Sequence, residues 1–534
     1  MNNTLLPIVA YAEKYLYTQR VSVMYKILSF LSVAAWVSVL YGFYLTYQYQ
    51  VYVLLPFGAI FLFLATYLSF SSMINMFFKN FDVSKHQTFI RSFWKERFVT
   101  PTIDILLPIC GEDVHILRNT WEGVKDLQDR HGETVTITVL DDKESSAAKK
   151  LAATFGFNYL VRPNRGEMKK AGNLKYGMSM TKGEFIIIFD ADFRPHRDFI
   201  LELLPYMSDA NSGIIQSPQY FDTDKKMHNA SPLQYGAGNI QVYFYKIIQN
   251  AWGRVNGSIC VGSNAIYRRT ALDSIGGTVQ IEHSEDIMTG FKLLAKGWKI
   301  TYVPLILAKG ICPTDQYSFF KQQIRWCAGS MSLLTSRDFW TSKVPLKSKL
   351  PFVSGFFFYI SNPVLLLLPF MNIYLLANGN GMHDMWVGLY YLPSLVISLI
   401  LLSVYVFPKA KLGTILAFIS VTWAYSYILL SLALGKKDEW KPTGSSGAVS
   451  LSYVLVTLAS TVYLVAYAWL AYVIAYIGKI ELDYASIIVL SSIFVTVFVQ
   501  LLYAIFQWSY MVKNINFELL LSKQKAPKKY YVKL

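Results

Sequence analysis

Long stretches without charge alternate with one region in which polar and apolar residues are mixed. No charged side chain occurs between Lys26 and Lys79, a length that accommodates two membrane spans of roughly 20 residues each. Further uncharged stretches follow the mixed region, at 350–382, 385–408, 412–435, 442–478 and 484–512. The mixed region, from Lys79 to Lys349, is large enough for one globular domain. The pattern therefore predicts a multi-pass membrane protein with one domain between its membrane segments.

The charges also predict the boundaries and the orientation. Residues 1–80 are an N-terminal membrane segment with two spans, 81–348 the domain, 349–513 a membrane region with four spans, and 514–534 a basic tail. Lysines flank the domain and fill the tail, so the positive-inside rule places both in the cytosol of a cell-membrane protein. A fifth C-terminal span would put the tail outside. We therefore expect residues 412–434, which have lysines at both ends, to be an interfacial helix, and about six spans in total.

The composition agrees with membrane insertion and limits the classes of partner. Hydrophobic residues make up 53% of the chain and the mean hydropathy is +0.33, which excludes an ordinary soluble protein. We assign the net charge of +16 to contact with anionic lipids, and we expect no nucleic acid as a partner. The four cysteines lack Cys-x-x-Cys spacing and are expected to be free thiols.

Two pairs of acidic residues directly follow apolar, β-branched runs in the domain. A run of Val, Thr, Ile and Leu precedes Asp141 and Asp142, and a run of Phe and Ile precedes Asp190 and Asp192. Such runs are typical of buried parallel strands, whose carboxyl ends form the ligand-binding edge of an open α/β sheet. Two acids one residue apart can offer oxygen ligands to a divalent cation that also holds phosphates. A solvated turn is the alternative.

Other segments of the domain add strands, helices and a basic turn. We predict a strand at 103–108, a helix at 114–126, and an amphipathic helix at 232–255 that lies against the membrane or packs on the domain. Lys170 stands near Gly166 at a predicted helix start, where a cation and backbone N–H groups suit a diphosphate. A solvated basic loop is the alternative there.

The order of these motifs resembles that of processive family-2 glycosyltransferases, the membrane synthases of cellulose, hyaluronan, curdlan and related polymers. The matching segments are Asp141-Asp142, Lys170-Ala171-Gly172-Asn173, Asp190-Ala191-Asp192, Gly262-Ser263-Asn264-Ala265, Glu285-Asp286 and Gln322-Gln323-Ile324-Arg325-Trp326. The resemblance implies an α/β domain of GT-A fold, with a mostly parallel sheet, inserted between transmembrane helices. It also implies a UDP-sugar donor, a divalent cation (Mg or Mn) and a channel that exports the polymer.

The resemblance assigns roles to individual residues. Asp286 would be the general base that accepts the proton of the attacking sugar hydroxyl, although a plain helix N-terminal acid is the alternative. Asp190 and Asp192 would hold the metal. The donor would be bound by Pro108, Glu112, Asp141, Asp142, Lys170, Asp190, Gln322 and Arg325. The acceptor would be bound by Gly262, Ser263 and Trp326, of which Trp326 is alternatively an interfacial anchor.

Three departures from the family pattern stand out. Trp440 and Thr443 resemble part of the family's gating loop, but Ser445 replaces the lysine that ends it. Phe193 follows the acidic pair where some relatives have histidine, and Val261 stands where cellulose synthases carry cysteine. The gating-like loop is therefore only partly matched.

Taken together, these features predict an inverting, processive enzyme that makes a β-linked glucan from UDP-glucose and exports it. UDP-glucose is favoured because the Gly-Ser-Asn-Ala segment is closer to glucan synthases than to hyaluronan synthases. The spans carry almost no basic residues, which also favours a neutral polymer, such as a capsular glucan. The alternatives are a hyaluronan- or chitin-like synthase using UDP-N-acetylglucosamine and a non-catalytic sugar or lipid transporter. The partners would be the donor, the growing chain and the bilayer, with a homo-oligomer left open.

The orientation can be tested by labelling. We predict that residues 435–449 and the tail after Lys513 are cytosolic, so single cysteines at Ser446 and Ser522 should react with a membrane-impermeant thiol reagent only after cells are permeabilised. The unsubstituted chain is the control for the native cysteines. Labelling at Ser446 in intact cells would show that residues 412–434 cross the membrane.

Overall fold

A helical hairpin precedes the domain. The computed structural model describes residues 9–18, 23–75, 79–96, 101–222, 231–378, 386–401, 412–435, 449–477 and 484–515. Helix α1 (Tyr11–Lys14) comes first, followed by α2 (Val23–Gln48) and α3 (Leu55–Asn75), which pack along each other. Helix α4 (Val83–Glu96) leads into the domain. Helices α2 and α3 are called the N-terminal hairpin below.

The domain is built on two β-sheets. The strands of the larger one are β1 (Ile103–Ile109), β2 (Val135–Asp141), β3 (Asn158–Leu160), β4 (Phe185–Ile188), β6 (Ser212–Gln216), β8 (Ala265–Arg268) and β9 (Lys299–Tyr302). Their spatial order is β3-β2-β1-β4-β8-β6-β9. All neighbouring pairs are parallel except those of β8, so the predicted mostly parallel sheet is confirmed. The smaller sheet has the order β5-β10-β7, with β5 (Phe193–Pro195), β7 (Tyr220–Phe221) and β10 (Ala308–Gly310).

Helices cover the larger sheet and close the domain. They are α5 (Val114–His131), α6 (Ser146–Phe155), α7 (Lys169–Ser179), α8 (Phe199–Leu203), α9 (Pro232–Tyr243), α10 (Gln249–Gly253), α11 (Arg269–Asp273), α12 (Glu285–Ala295), α13 (Gln316–Leu334) and α14 (Arg337–Thr341). The strand and helix predicted at 103–108 and 114–126 both form, and the helix continues for more than a turn beyond the prediction. The buried faces of β1, β2 and β4 are Ile, Leu, Val and Phe, which explains why these runs become central strands.

The predicted amphipathic helix at 232–255 forms in two parts. A π turn, Phe244–Ile248, separates α9 from α10. Ile247 and Trp252 are buried together with Tyr25 and Ile74, which belong to the ends of the N-terminal hairpin nearest the domain. The helix therefore packs between the domain and the N-terminal hairpin, which confirms the predicted packing on the domain, and its contact with the membrane surface stays a prediction.

The C-terminal region contains α15 (Leu346–Leu365), α16 (Leu368–Asn378), α17 (Leu392–Leu401), α18 (Leu412–Ala433), α19 (Leu451–Ile477) and α20 (Tyr484–Asn514). Among the described residues, five helices are long and apolar enough to cross a membrane, and they correspond to α2, α3, α18, α19 and α20. The first two and the last two coincide with predicted spans. The described parts of the predicted spans between 349 and 408 are α15, α16 and α17, and α15 contains two prolines.

Helix α18 meets the criterion for a span, although its flanking charges predict an interfacial helix. It packs on α9 and α13 of the domain and on α15. Its Ser420 hydroxyl accepts a hydrogen bond from Gln316 Nε2 at 2.9 Å, and its Tyr425 hydroxyl donates to Gln323 Oε1 at 2.7 Å. Buried polar contacts of this kind fix one helix on another. The interfacial orientation stays a prediction, and the packing of α18 on the domain favours it.

Two glycines bring α9 and α18 into backbone contact. A Cβ atom on Gly413 would lie 1.9 Å from the carbonyl oxygen of Pro232, and one on Gly236 would lie 2.2 Å from the carbonyl oxygen of Gly413. No flexible side chain can yield at this point, because the opposing atoms belong to the main chain. Glycine at both positions is what lets the domain and α18 meet.

This contact predicts a stability change. Gly413→Ala should lower the free energy of unfolding by about 1–3 kcal/mol, because the helices must separate to admit the methyl group. The thermal midpoint of the detergent-solubilised protein measures it. Gly388→Ala is the matched control, since no atom of the described residues lies within 4 Å of a Cβ there. Equal midpoints for both variants would contradict the close contact.

Candidate active site

Acidic residues gather at the carboxyl ends of three neighbouring strands. Strand β1 ends beside Glu112, β2 at Asp141 and Asp142, and β4 just before Asp190. Ile109 pairs with Asp141 in the sheet, which places the ends of β1 and β2 side by side. A cavity of about 550 Å³ lies at the opposite ends of these strands and is lined by residues such as Thr136. None of the acids named here lines that cavity.

Asp141 holds a turn together. The side chain is fully buried, and its two oxygens accept hydrogen bonds from the backbone N–H groups of Lys143, Glu144 and Ser145 and from the hydroxyl of Tyr159. Asp141 therefore fixes the turn that follows β2 and carries Asp142. Its contact with uridine stays a prediction.

Asp142 is bound by an arginine that the sequence analysis missed. Arg162 Nε and NH2 lie 2.6 and 2.8 Å from the two oxygens of Asp142, and the Arg162 side chain is almost fully buried. Arg162 also donates to the carbonyl oxygen of Lys169, 3.2 Å away. It therefore links the end of β2 to the start of α7. Nothing in the local sequence marks Arg162, because the contact spans twenty residues and depends on where β3 ends.

Lys170 is the cation around which the acids are arranged. Its Nζ lies 2.5 Å from Asp190 Oδ1, 3.1 Å from the carbonyl oxygen of Gly262 and 3.8 Å from Glu285 Oε1. Burial lowers the pKa of Lys170, but the charges of Asp190 and Glu285 outweigh that effect and hold it above its ordinary value. Lys170 is therefore charged, and it connects the predicted metal-binding segment to the predicted acceptor segment.

Asp192 is a poorly neutralised carboxylate that lies beside Asp190, the partner of Lys170. Burial and the neighbouring charge of Asp190 raise the pKa of Asp192 to about 7, and burial also raises that of Glu112. Such a pair suits a divalent cation. Among the described residues, no group of three or more His, Cys, Asp or Glu side chains is arranged to hold a metal ion alone. The donor set fits a cation that takes its remaining ligands from phosphate oxygens and water.

Asp286 lies at the start of α12, directly behind Gly262. A Cβ atom on Gly262, whose φ is +73°, would lie 2.7 Å from Asp286 Oδ2, so only glycine allows this approach. Burial and then the charge of Glu285 raise the pKa of Asp286 to about 7. Ser263 is fully buried beside Gly262, and its hydroxyl accepts from the backbone N–H of Asp190 at 2.9 Å. The acceptor segment is thus fixed against both Asp190 and Asp286.

Helix α13 carries the last group of predicted residues. Gln322 is buried, whereas Arg325 and Trp326 are partly exposed. Burial lowers the pKa of Arg325, and the charges of Asp190, Glu285, Asp192 and Asp286 act in the opposite direction, so the guanidinium is near all four acids. A Cβ atom on Gly329 would lie 1.7 Å from Ser284 Oγ, so α13 and the start of α12 are in close contact.

Most predicted site residues therefore meet at one edge of the sheet. The structure brings together Lys170, Asp190, Asp286 and Arg325 around Gly262, and it adds Glu285 as a further partner of Lys170. Pro108 is buried at the end of β1, next to Glu112. Trp440 and Thr443 lie outside the described residues.

Comparison with known proteins shows what the domain is similar to. Residues 104–276 match the glycosyl transferase family 2. The cellulose synthase 1 catalytic subunit (UDP-forming) of Komagataeibacter xylinus is 29% identical over 298 residues, which are 55% of this chain and 40% of that protein. The cellulose synthase catalytic subunit (UDP-forming) of Xanthomonas axonopodis pv. citri is 27% identical over 43% of this chain and 31% of that protein. The chain thus spans less than half the length of these relatives.

Solved structures give a weaker likeness. The mannosyltransferase PcManGT from Pyrobaculum calidifontis is 15% identical, with a TM-score of 0.47, over 71% of this chain and all of that protein. The family match and the mostly parallel sheet confirm the predicted GT-A fold class.

The position of Asp286 predicts a specific loss of activity. Asp286→Asn keeps the shape of the side chain but cannot accept a proton, so sugar transfer should fall by roughly 10² or more while nucleotide-sugar binding is retained. In the unsubstituted protein, kcat/KM should fall about tenfold per pH unit below 7, because the carboxylate must be ionised and its pKa is about 7. The exposed Glu282→Gln is the control. Turnover of Asp286→Asn near that of the control would make Asp286 structural.

Proposed function

Since residues 104–276 are a family-2 glycosyltransferase domain, we propose that this protein is a processive, inverting UDP-sugar glycosyltransferase that extends a β-linked polysaccharide and exports it. The observation that carries the proposal is the convergence of Lys170, Asp190 and Asp286 around Gly262, beside a helix that packs on the membrane region. Glycosyl transfer from a nucleoside diphosphate sugar requires a positive charge at the diphosphate, a carboxylate that can bind a metal ion and a general base. Lys170, Asp190 and Asp286 could provide these three groups.

On the donor side, the leaving group is a diphosphate whose charge must be neutralised. Lys170 and Arg325 provide fixed positive charge at this point. Asp190 and Asp192 would hold a divalent cation, Mg or Mn, which when bound adds further positive charge at the phosphates. Asp142, held in place by Arg162 at the end of β2, would contact the uridine. These roles account for the clustering of unlike charges.

On the acceptor side, a sugar hydroxyl is a weak nucleophile and must lose a proton as it attacks. Asp286 accepts that proton, and its pKa near 7 makes the carboxylate a stronger base than an ordinary aspartate. A single base without a second carboxylate acting as a nucleophile implies inversion, so an α-linked donor yields a β-linked product. The Trp326 indole, partly exposed on α13, offers the acceptor ring a flat face.

We propose that the transferred sugar is glucose and that the polymer is exported across the membrane. The relatives are named cellulose synthases, and the membrane helices carry almost no basic residues that could escort a polyanion. The domain would lie on the cytosolic face of the cell membrane, where UDP-sugars are available. Helix α13, which carries Trp326, contacts α18 and α15. The proposed acceptor site would therefore lie next to the membrane region.

The donor is tested by a panel of labelled nucleotide sugars. Purified protein in lipid nanodiscs should incorporate label into high-molecular-weight product from UDP-glucose, at least about tenfold faster than from UDP-N-acetylglucosamine. Digestion with linkage-specific β-glucanases should release the label. Chelation of divalent cations and Asp192→Asn should each abolish incorporation, because the leaving diphosphate loses its counter-charge.

The control is the same protein with Asp209→Asn, which removes only an exposed ion pair with Lys299. Product from UDP-N-acetylglucosamine alone would replace the glucan proposal with a chitin- or hyaluronan-like one. Full activity in the presence of chelator would contradict the role given to Asp190 and Asp192.

A further inference from the structure

The two segments that flank the N-terminal hairpin meet at one buried carboxylate of the domain, Glu202 in α8. Lys14, which precedes α2, donates to Glu202 Oε1, and His86 Nε2, which follows α3, lies 2.6 Å from Oε2. The side chains of Lys14, His86 and Glu202 are 3%, 1% and 9% exposed. Lys14 also lies 3.3 Å from Asp198. The two chain segments that enter and leave the hairpin are thus held by the same acid.

Glu202 is ionised in this arrangement. Burial raises its pKa, but hydrogen bonds from His86 and Lys14 outweigh burial and hold the pKa below its ordinary value. A buried ion pair contributes little net stability, yet removing one partner leaves an uncompensated charge. The buried contacts of Glu202 are therefore better explained by the fixed relative position that they impose on the segments carrying Lys14 and His86.

The segment before the hairpin, residues 9–18, makes further contacts with the domain. The backbone N–H of Ile306 donates to the carbonyl oxygen of Lys14 at 3.0 Å, and Glu13 lies 2.8 Å from Lys309 Nζ. Tyr17 is 2% exposed and its ring packs edge-on against that of Tyr220, 5.8 Å away. This docking segment thus fills a groove between α8 and the smaller sheet.

The docking segment reaches the candidate active site through the smaller sheet. Lys309, which binds Glu13, lies on β10, and the next residue of that strand, Gly310, pairs with Phe193, the residue after Asp192. Glu202 itself lies ten residues after Asp192 in the same stretch of chain. Glu202, which binds the segments that flank the N-terminal hairpin, therefore lies in the same stretch of chain as Asp190 and Asp192, the residues proposed to bind the metal.

We propose that Glu202 is a positioning residue that clamps the two segments flanking the N-terminal hairpin to the domain and so keeps the active site in register with the membrane region. The inference rests on the proposed function for its consequence, which is retention of the growing chain between transfers. Each transfer needs only the local site, whereas many successive transfers need the site to stay aligned with the path that the polymer takes. Loss of the clamp should therefore shorten the product more than it slows the chemistry.

The test compares Glu202→Gln with Asp104→Asn in the full-length protein in nanodiscs. Asp104 is a matched control, since it is equally buried and accepts from two partners, Gly183 N–H and Arg269, that both belong to the domain. Glu202→Gln should leave UDP release within about twofold of the unsubstituted protein and shorten the mean product at least about threefold. The Ile306 amide should exchange hydrogen about tenfold faster, because its acceptor on Lys14 is released. His86→Gln, a milder change, should shorten the product and speed Ile306 exchange to a smaller extent, again with little effect on UDP release.

Each outcome decides the matter. Unchanged Ile306 exchange in Glu202→Gln, or an equal change in Asp104→Asn, would overturn the clamp. Faster exchange with an unchanged product length would overturn its link to processivity. If the unsubstituted protein makes no polymer from any UDP-sugar, the proposed function fails, and the exchange measurement still decides whether Glu202 holds the hairpin.

Discussion

The ammonium group of Lys170, held between Asp190 and Glu285, is the interaction on which the rest of the site depends. Parallel strands bring several carboxylates to one edge of the sheet, and burial makes their mutual repulsion costly. Lys170 offsets part of that charge and contacts the carbonyl oxygen of Gly262, which ties the acceptor segment to the donor segment. The remaining excess of negative charge around Asp192 is what a cation and a bound donor would compensate.

Glycines at close backbone contacts fix the positions of the helices that carry these charged residues. Gly262 admits Asp286, and Gly329 admits Ser284, so α12 and α13 meet the sheet edge at fixed positions. The contact of Gly236 with Gly413 then fixes the domain on α18. The domain is therefore attached to the membrane region at α18, and to the N-terminal hairpin both through Glu202 and through the packing of Ile247 and Trp252 on Tyr25 and Ile74.

Local patterns were enough to predict β1, β2 and β4, the acidic pairs that follow β2 and β4, helix α5 and the apolar segments on either side of the domain. They could not predict what each acid does, because that depends on distant parts of the chain. Asp141 also accepts hydrogen bonds from the turn at residues 143–145, and the pairing of Arg162 with Asp142 depends on β3 lying beside β2. The clamp at Glu202 joins residues more than a hundred positions apart. The charges at the ends of α18 favour the interface, while its length also allows a span, so sequence leaves its depth open.

Delivery of the product across the bilayer tests the central claim most directly, because it requires the site, the docked membrane region and the donor to act together. The protein is reconstituted in sealed vesicles with its domain outward, UDP-glucose is added outside, and a β-glucanase is added after synthesis. If the protein exports its polymer, most of the labelled product should resist the glucanase until detergent opens the vesicles. Polymer that is fully digested without detergent would show that the chain is made but not exported, and would contradict the coupling of site and membrane region described here.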